Sequence, residues 1–403
     1  MEVNYFRKPM EKQAESLPKE VKFCVKCVNS NQRPRIVFDE EGVCSACRHL
    51  ERKQKEINWE QREKELKALC DKYRRSDGYW DVLVPGSGGK DSAYVAHLLK
   101  SKYGMNPLSV TWAPFKYTDI GYENFVGYVD SGFTTVVGYA NGQVHRKLAR
   151  VAFEEVGDNF LPFIWGQHSF VYHMATKYKI NLVFFGELAE LEYGGDPKHK
   201  DKPNIPMDEW AKTYFKGITV DSLVEYALEY KDYFKKEDFN KSDLIFYRPP
   251  AVEEMRGIDI HWMSYYMNWL PQENYYYAAE NTGFKANPVR SEGTYSKYAS
   301  LDDQMDGLHY YLMLIKFGFG RATSDAAHEV RDGHITREEA VALVKKFDTE
   351  SPKRYLKVIL DYLGITEDHY WDVIDSFRLP HIWKKIDGEW KLRHTVSKDG
   401  VDD

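Results

Sequence analysis

The stretch Asp81-Val82-Leu83-Val84-Pro85, followed by Gly86-Ser87-Gly88-Gly89-Lys90-Asp91-Ser92, decides the fold. A short apolar run ended by a glycine-rich turn reads as a buried strand, and the spacing of apolar residues from Ala93 to Lys102 is helical. A strand that feeds such a turn into a helix presents several backbone N–H groups at a helix N-terminus. The partial positive charge there favours phosphate oxygens. Gly86, Gly88 and Gly89 let the backbone approach a ligand closely, where side chains would obstruct it. Lys90 adds a full positive charge, Ser87 and Ser92 add hydroxyl donors, and Asp91 is placed to orient the loop or to help hold Mg2+.

Two common phosphate motifs fail residue by residue. A Walker A loop needs glycine where Val84 stands and serine or threonine where Asp91 stands. A dinucleotide fingerprint beginning at Gly86 needs glycine at position 91, which is again Asp91. Ser87 to Ser92 instead resembles the signature shared by argininosuccinate synthetase, GMP synthetase, NAD synthetase and tRNA-modifying ATP pyrophosphatases. That resemblance implies cleavage of ATP between the α and β phosphates, with AMP passed to a substrate oxygen. It also implies an adenine near the ends of the first two strands, where Trp112 and Ala113 fall.

Outward from the loop, apolar runs recur at residues 108–112, 133–137, 181–185 and 259–263. Helical patterning separates them at residues 144–156 and 167–178. Strands alternating with helices predict an α/β fold with a doubly wound, mostly parallel sheet. Gly186-Glu187 closes the 181–185 run, and ligands in such sheets bind beyond the carboxyl ends of strands. Residues 51–75, rich in Lys, Glu and Arg, read as one solvated helix packed on one side. From about Asp208 the pattern turns helical and tyrosine-rich. Residues 301–375 read as several helices, with a capping box at Thr336–Glu339. The expected organisation is a zinc ribbon over 1–50, a linker helix over 51–78, a catalytic domain over 79–270 and a helical region over 271–403.

The spacing Cys24-x2-Cys27-x16-Cys44-x2-Cys47 is that of a four-thiolate zinc site, each pair on a tight knuckle. Four protein ligands leave no open position, so the metal is expected to be structural. Cys70, the fifth cysteine, falls in the charged helix and reads as a packed thiol. The net charge of −6 argues against a mainly electrostatic grip on nucleic acid. The segment Met1–Glu20 lacks the apolar core of a secretory signal, and no apolar run approaches the length of a spanning helix, so a cytoplasmic protein is expected.

Adenylation leaves the next nucleophile open. Sulfur-transferring tRNA enzymes of this class usually carry catalytic-domain cysteines, and no cysteine follows Cys70. Nitrogen transfer is the better reading, with ammonia from a separate glutaminase because no cysteine stands in a nucleophile's context. A tRNA-modifying ATP pyrophosphatase is the alternative.

Nearly the whole chain resembles the N-acetyl sugar amidotransferase family of bacterial surface-polysaccharide and flagellin-glycan biosynthesis. The stretches that carry the resemblance are 33–39, Gly42–Cys47, the phosphate loop, Val144–Leu148 and Gly186-Glu187 with Glu192-Tyr193-Gly194. Others are Glu292–Tyr298, Leu301–Asp303 and Gly318–Asp325. Leu188 stands where asparagine was expected. The family implies conversion of an acetamido group on a nucleotide-activated sugar to an acetamidino group. It also implies partners resembling the glutaminase and cyclase subunits of imidazole glycerol phosphate synthase. Candidate carboxylates for Mg2+ or proton transfer are Glu187, Glu192 and Glu292 beside Asp91, and Lys297 and Arg321 are candidate substrate anchors with Lys90. Gly186 and Trp112 join Gly86–Ser92 as candidate ATP contacts. His145, His168, His309 and Asp302-Asp303 are weaker candidates, and Tyr265–Tyr277 reads mainly as helical packing.

Overall fold

Five short apolar runs pair side by side, all parallel: β1 (Val82–Pro85), β2 (Pro107–Trp112), β3 (Thr135–Gly138), β4 (Leu182–Phe185) and β5 (Asp259–Trp262). The computed structural model describes residues 8–204 and 214–403. The change of pattern expected near Asp208, and the start of the Met1–Glu20 segment, lie outside the described residues. Strand order is β3-β2-β1-β4-β5. The chain therefore steps outward from β1 to β3 and returns on the other side at β4. This makes the β1/β4 junction a switch point, where loops diverge and a crevice opens. Leu83 lies opposite both Leu108 and Val183, so β1 is central and flanked on both sides.

Both faces of the sheet are covered, which is why apolar residues of the strands point both ways. Leu83, Leu108, Val110, Val183 and Ile260 point to one face, against α5 (Gly142–Val156) and α6 (Leu161–Tyr178). Val82, Val84, Leu182 and Phe184 alternate to the other, against α2 (Trp59–Tyr73) and α3 (Lys90–Ser101). The helix Pro271–Thr282 lies along α3.

The charged segment expected as one helix is two. α1 (Ser45–Lys55) ends at Glu56, and α2 restarts after Asn58, whose side-chain Oδ1 accepts the Gln61 N–H at 3.0 Å. An asparagine in extended backbone makes a better N-cap than a mid-helix residue, because its side chain replaces a missing helical acceptor. Of α2 only Leu66 and Cys70 are fully buried.

Five helices follow residue 301, as the pattern predicted: Asp306–Phe317, Arg321–Asp332, Arg337–Phe347, Leu356–Leu363 and Glu367–Ser376. Thr336 and Glu339 form the expected reciprocal capping box, with bonds of 3.2 and 2.8 Å. Leu308, Leu312, Ile315, Tyr370, Ile374 and Phe377 share a core with Ala149, Phe153 and Phe160 of the α5–α6 region. The C-terminal region is not wholly helical. β6 (Trp383–Ile386) and β7 (Glu389–Leu392) form an antiparallel hairpin. Asp387 and Gly388 turn it, both at positive φ, the preferred backbone of a two-residue hairpin loop.

Candidate active site

The phosphate loop follows β1 directly. Gly86 N–H donates to the Val110 carbonyl at 2.9 Å, continuing the β1–β2 ladder, and Thr111 Oγ1 donates to the Gly86 carbonyl. α3 begins at Lys90, three residues earlier than its apolar spacing suggested, with Gly89 as N-cap. The N–H groups of Lys90, Asp91 and Ser92 thus belong to the first helical turn, where backbone donors lack intrahelical partners. Ser92 Oγ donates to the Gly89 carbonyl at 3.0 Å, and Gly89 N–H points to Ser87 Oγ at 3.4 Å. Gly88 sits at φ +83°, and a Cβ there would lie 2.5 Å from the Phe125 Cα. Only glycine fits both that backbone and that contact with α4 (Asp119–Asp130).

The loop forms one wall of a cavity of about 510 Å3 at the carboxyl ends of β1, β2 and β4. Lys90 is buried against it, paired with the Asp91 carboxylate and 5.9 Å from the Tyr298 ring centroid. Asn274 Nδ2 donates to Asp91 Oδ1 at 3.0 Å and fixes that carboxylate. Glu187, just past β4, faces the same space. Burial, and then the nearby Asp91 carboxylate, push Glu187 up to about 8. Two oxygen-donor carboxylates that repel one another beside a phosphate loop suit a hard divalent cation such as Mg2+.

The opposite wall comes from the C-terminal part of the chain: Tyr298, Asp302, Asp306, His309, Tyr310 and Arg321 all line the cavity. Burial and neighbouring Asp306 raise Asp302 to about 6. Burial alone would lower the Arg321 guanidinium. Asp325, whose Oδ1 accepts from Arg321 Nε at 2.9 Å, together with Tyr310, Tyr193 and Asp306 outweighs this and holds Arg321 above its ordinary value. The Arg321 guanidinium lies 4.4 Å from the Tyr310 ring centroid. His309 Nδ1 meets the buried Asp158 carboxylate at 2.8 Å. Glycine spacing announced the loop. By contrast, Asn274, Asp306 and Tyr310 carry no local signal and are joined to the site only by the tertiary fold.

Among the sequence candidates, Gly86–Ser92, Trp112, Gly186, Glu187, His168, Asp302, His309 and Arg321 line the cavity. Trp112 is 5% exposed, and its indole lies so close to α6 that a Cβ on Gly166 would fall 2.2 Å from it. That ring is packed into the core at the cavity floor. His168 is buried, which lowers it to about 3 and keeps it neutral.

Five titratable candidates lie elsewhere. Glu192 is buried in an ion pair with Lys53 Nζ at 2.8 Å and near His49 Nε2 at 3.6 Å, tying α1 to the turn after β4. Glu292 Oε1 accepts the backbone N–H groups of Lys353 and Arg354 at 3.0 and 2.9 Å, bracing a loop. Lys297 is exposed and outside the cavity wall. His145 bonds Tyr247 at 2.7 Å and stacks on Phe115 in the core, and burial lowers it to about 3. Asp303 accepts from the Phe115 N–H at 2.6 Å and the Met305 N–H at 2.8 Å, holding together the segments on either side of the cavity.

The four cysteines converge. Their sulfurs lie within 4.8 Å of one another, all buried, with Cys24–Cys47 at 3.9 Å and Cys27–Cys44 at 3.7 Å. A tetrahedron of thiolates about 2.3 Å from zinc puts its sulfurs about 3.8 Å apart, so the cluster fits zinc. Backbone N–H groups of Lys26 and Asn29 approach Cys24 and Cys27 Sγ at 3.4 Å, the arrangement that stabilises thiolate. This module does not own its core. Cys24, Val28, Val43 and Ala46 pack on Ala326, Ala327 and Ala340 of the C-terminal helices. Asn29 Nδ2 reaches both Cys44 Sγ at 3.7 Å and the Tyr193 carbonyl at 3.3 Å, and Tyr193 lines the active cavity.

Residues 292–396 match the family described as "LPS biosynthesis protein WbpG-like, C-terminal domain". A segment of 88 residues is 30% identical to an uncharacterized protein of Methanocaldococcus jannaschii. That segment is 22% of this chain and 31% of the archaeal one, so the chain spans about a third of the curated relative it matches. Among the described residues, no helix is long and apolar enough to cross a membrane. The matched residues 292–396 are those that supply the wall facing the phosphate loop.

Proposed function

We propose that the protein is an ATP-dependent, AMP-forming amidotransferase that converts the acetamido group of a nucleotide-activated N-acetyl sugar to an acetamidino group. One observation carries the reading. A glycine-rich phosphate loop with Lys90 and a wall from the lipopolysaccharide-biosynthesis segment enclose the same cavity. At about 510 Å3 it falls in the range of small-molecule sites.

In the proposed reaction the acetamido oxygen attacks the α-phosphorus of ATP, and the bond from that phosphorus to the bridging oxygen breaks. Pyrophosphate takes the electron pair and stays on the N–H groups of Gly88–Ser92, beside Lys90. Ammonia then adds to the imidate carbon, the bond from carbon to the AMP oxygen breaks, and a proton is lost to give the amidine. Asp91 and Glu187 would hold Mg2+, which when bound offsets charge on the phosphates. Asn274 fixes the Asp91 carboxylate, so its position is set before substrate arrives. Arg321, stacked on Tyr310 and oriented by Asp325, is the anchor for an anionic group of the nucleotide sugar.

Ammonia comes from a separate glutaminase in this reading. Cys70, the one cysteine outside the cluster, is buried, which pushes its thiol up to about 12, far from a nucleophilic thiolate. The test is incubation with ATP, ammonium and UDP- or CMP-linked N-acetyl sugars. AMP, pyrophosphate and a product in which NH has replaced O support the proposal. AMP release with tRNA and with none of the sugars overturns it.

A further inference from the structure

Beside the main cavity lies a much narrower one of about 40 Å3. Lys90, Tyr193, Tyr298, Ala299 and Arg321 belong to the walls of both, so the small space ends against the cationic side of the phosphate loop. Its remaining walls run out to half-buried Gln272 and exposed His334. A space of that size admits about one or two molecules as small as water, and neither a sugar nor a nucleotide.

Its lining is acidic. Asp325 is engaged by Arg321 and by Thr294 Oγ1, and Glu329 Oε2 accepts from the Tyr295 hydroxyl at 2.8 Å. The Asp332 side chain is 6% exposed and stands 3.7 Å from His328 Nε2, beyond a good hydrogen bond. His328 is 4% exposed, and its Nδ1 has no hydrogen-bond partner among the described residues. A buried polar nitrogen without a partner is costly, and His328 carries one beside the passage.

We infer that this passage is the entry route for ammonium, drawn in by Asp332 and Glu329 and met by His328 before nitrogen reaches the Lys90–Arg321 end of the main cavity. The inference rests on the amidotransferase reading. Only ammonia, with its free electron pair, can attack the imidate carbon, so a proton must be left behind. One N–H bond of ammonium breaks, its electron pair stays on nitrogen, and the proton goes to the Asp332 carboxylate. Burial raises Asp332 to about 7 and lifts Glu329 as well, so both are better proton acceptors than ordinary surface carboxylates. The same burial lowers His328 well below its usual value and keeps it a neutral acceptor.

Steady-state kinetics with ammonium chloride as sole nitrogen source test the route. Asp332→Asn is expected to raise KM for ammonium about tenfold while KM for ATP and for the nucleotide sugar stays within about twofold. Gln272→Trp, which plugs the mouth from a half-buried position, is expected to lower kcat/KM for ammonium by a similar factor. Adenylation, read as pyrophosphate exchange into ATP, should survive in both. Ammonium kinetics within about twofold of the parent in both folded variants overturn the passage and leave the amidotransferase reading standing. A parent that forms no AMP with any N-acetyl sugar overturns that reading, and the passage falls with it.

Discussion

Glu192 holds a full charge at 4% exposure because Lys53 Nζ lies 2.8 Å away, with His49 behind it. Burial pushes its carboxyl up, but Lys53 and His49 outweigh that and bring it from 4.5 to about 2. A carboxylate lowered in the fold stabilises it at every pH above its unfolded value, and that contribution fades as pH falls from 4.5 toward 2. Glu192→Gln is therefore expected to lower unfolding stability by about 3 kcal/mol at pH 7, since it strands a buried ammonium. Urea unfolding should show the deficit constant down to about pH 4.5 and shrinking below it. A deficit that stays constant to pH 3 would rule out the ion pair as its source. Gly88 is a second single-residue test. Gly88→Ala meets both φ +83° and the α4 backbone at 2.5 Å, so ATP binding measured by titration should fall at least about a hundredfold, a loss of about 2.7 kcal/mol. An alanine variant that binds ATP like the parent would remove the loop from the site.

At the scale of elements, the sequence was most legible where burial was complete. All five strands of the sheet lie within two residues of apolar runs read from the sequence, because apolar residues from both faces pack under helices. The α1–α2 break at Ile57-Asn58 was masked by the Lys, Glu and Arg on either side of it, and Asn58 acts only through its cap. The β6–β7 hairpin left a usable trace, the Asp387-Gly388 pair between Trp383 and Trp390. For the site, the glycine loop and the cysteine spacing were readable because each is a local backbone requirement. Glu192, Glu292 and Lys297 were harder, since a charged residue's partner lies far along the chain: Lys53 for Glu192, and the Lys353–Arg354 backbone for Glu292. The cysteine module allows a prediction at this scale. Metal analysis should find about one zinc per chain, lost in Cys24→Ser. Hydrogen exchange in that variant should rise across residues 20–50 and in the Glu190–Gly194 turn, which Asn29 and Ser45 hold through Tyr193 and Gly195 carbonyls. The central strands should stay protected. Exchange confined to residues 20–50 would show that the module does not brace the cavity wall.

Taken as a whole molecule, the chain is closed by its last hundred residues as much as by its sheet. The segment from Glu292 supplies Arg321, His309 and Asp306 to the cavity, and it also buries Phe153 and Phe160 of the α5–α6 region under Leu308, Leu312 and Phe377. The four-cysteine module leans on Ala326, Ala327 and Ala340 from the same segment. Removing it would expose two apolar faces that have nothing else to cover them, at roughly 1.5–3 kcal/mol for each large side chain returned to water. A chain ending at Ser291 is thus expected to lose cooperative unfolding and to aggregate, rather than to persist as a smaller ATP-binding domain. Lys90→Ala provides the complementary case. It removes a charge from the cavity and breaks the pair with Asp91, yet leaves both shared cores intact. Its thermal midpoint should stay within a few degrees of the parent while AMP release falls at least about a hundredfold. A truncated chain that melts cooperatively and still binds ATP would show instead that the sheet folds alone and that the C-terminal segment serves the substrate only.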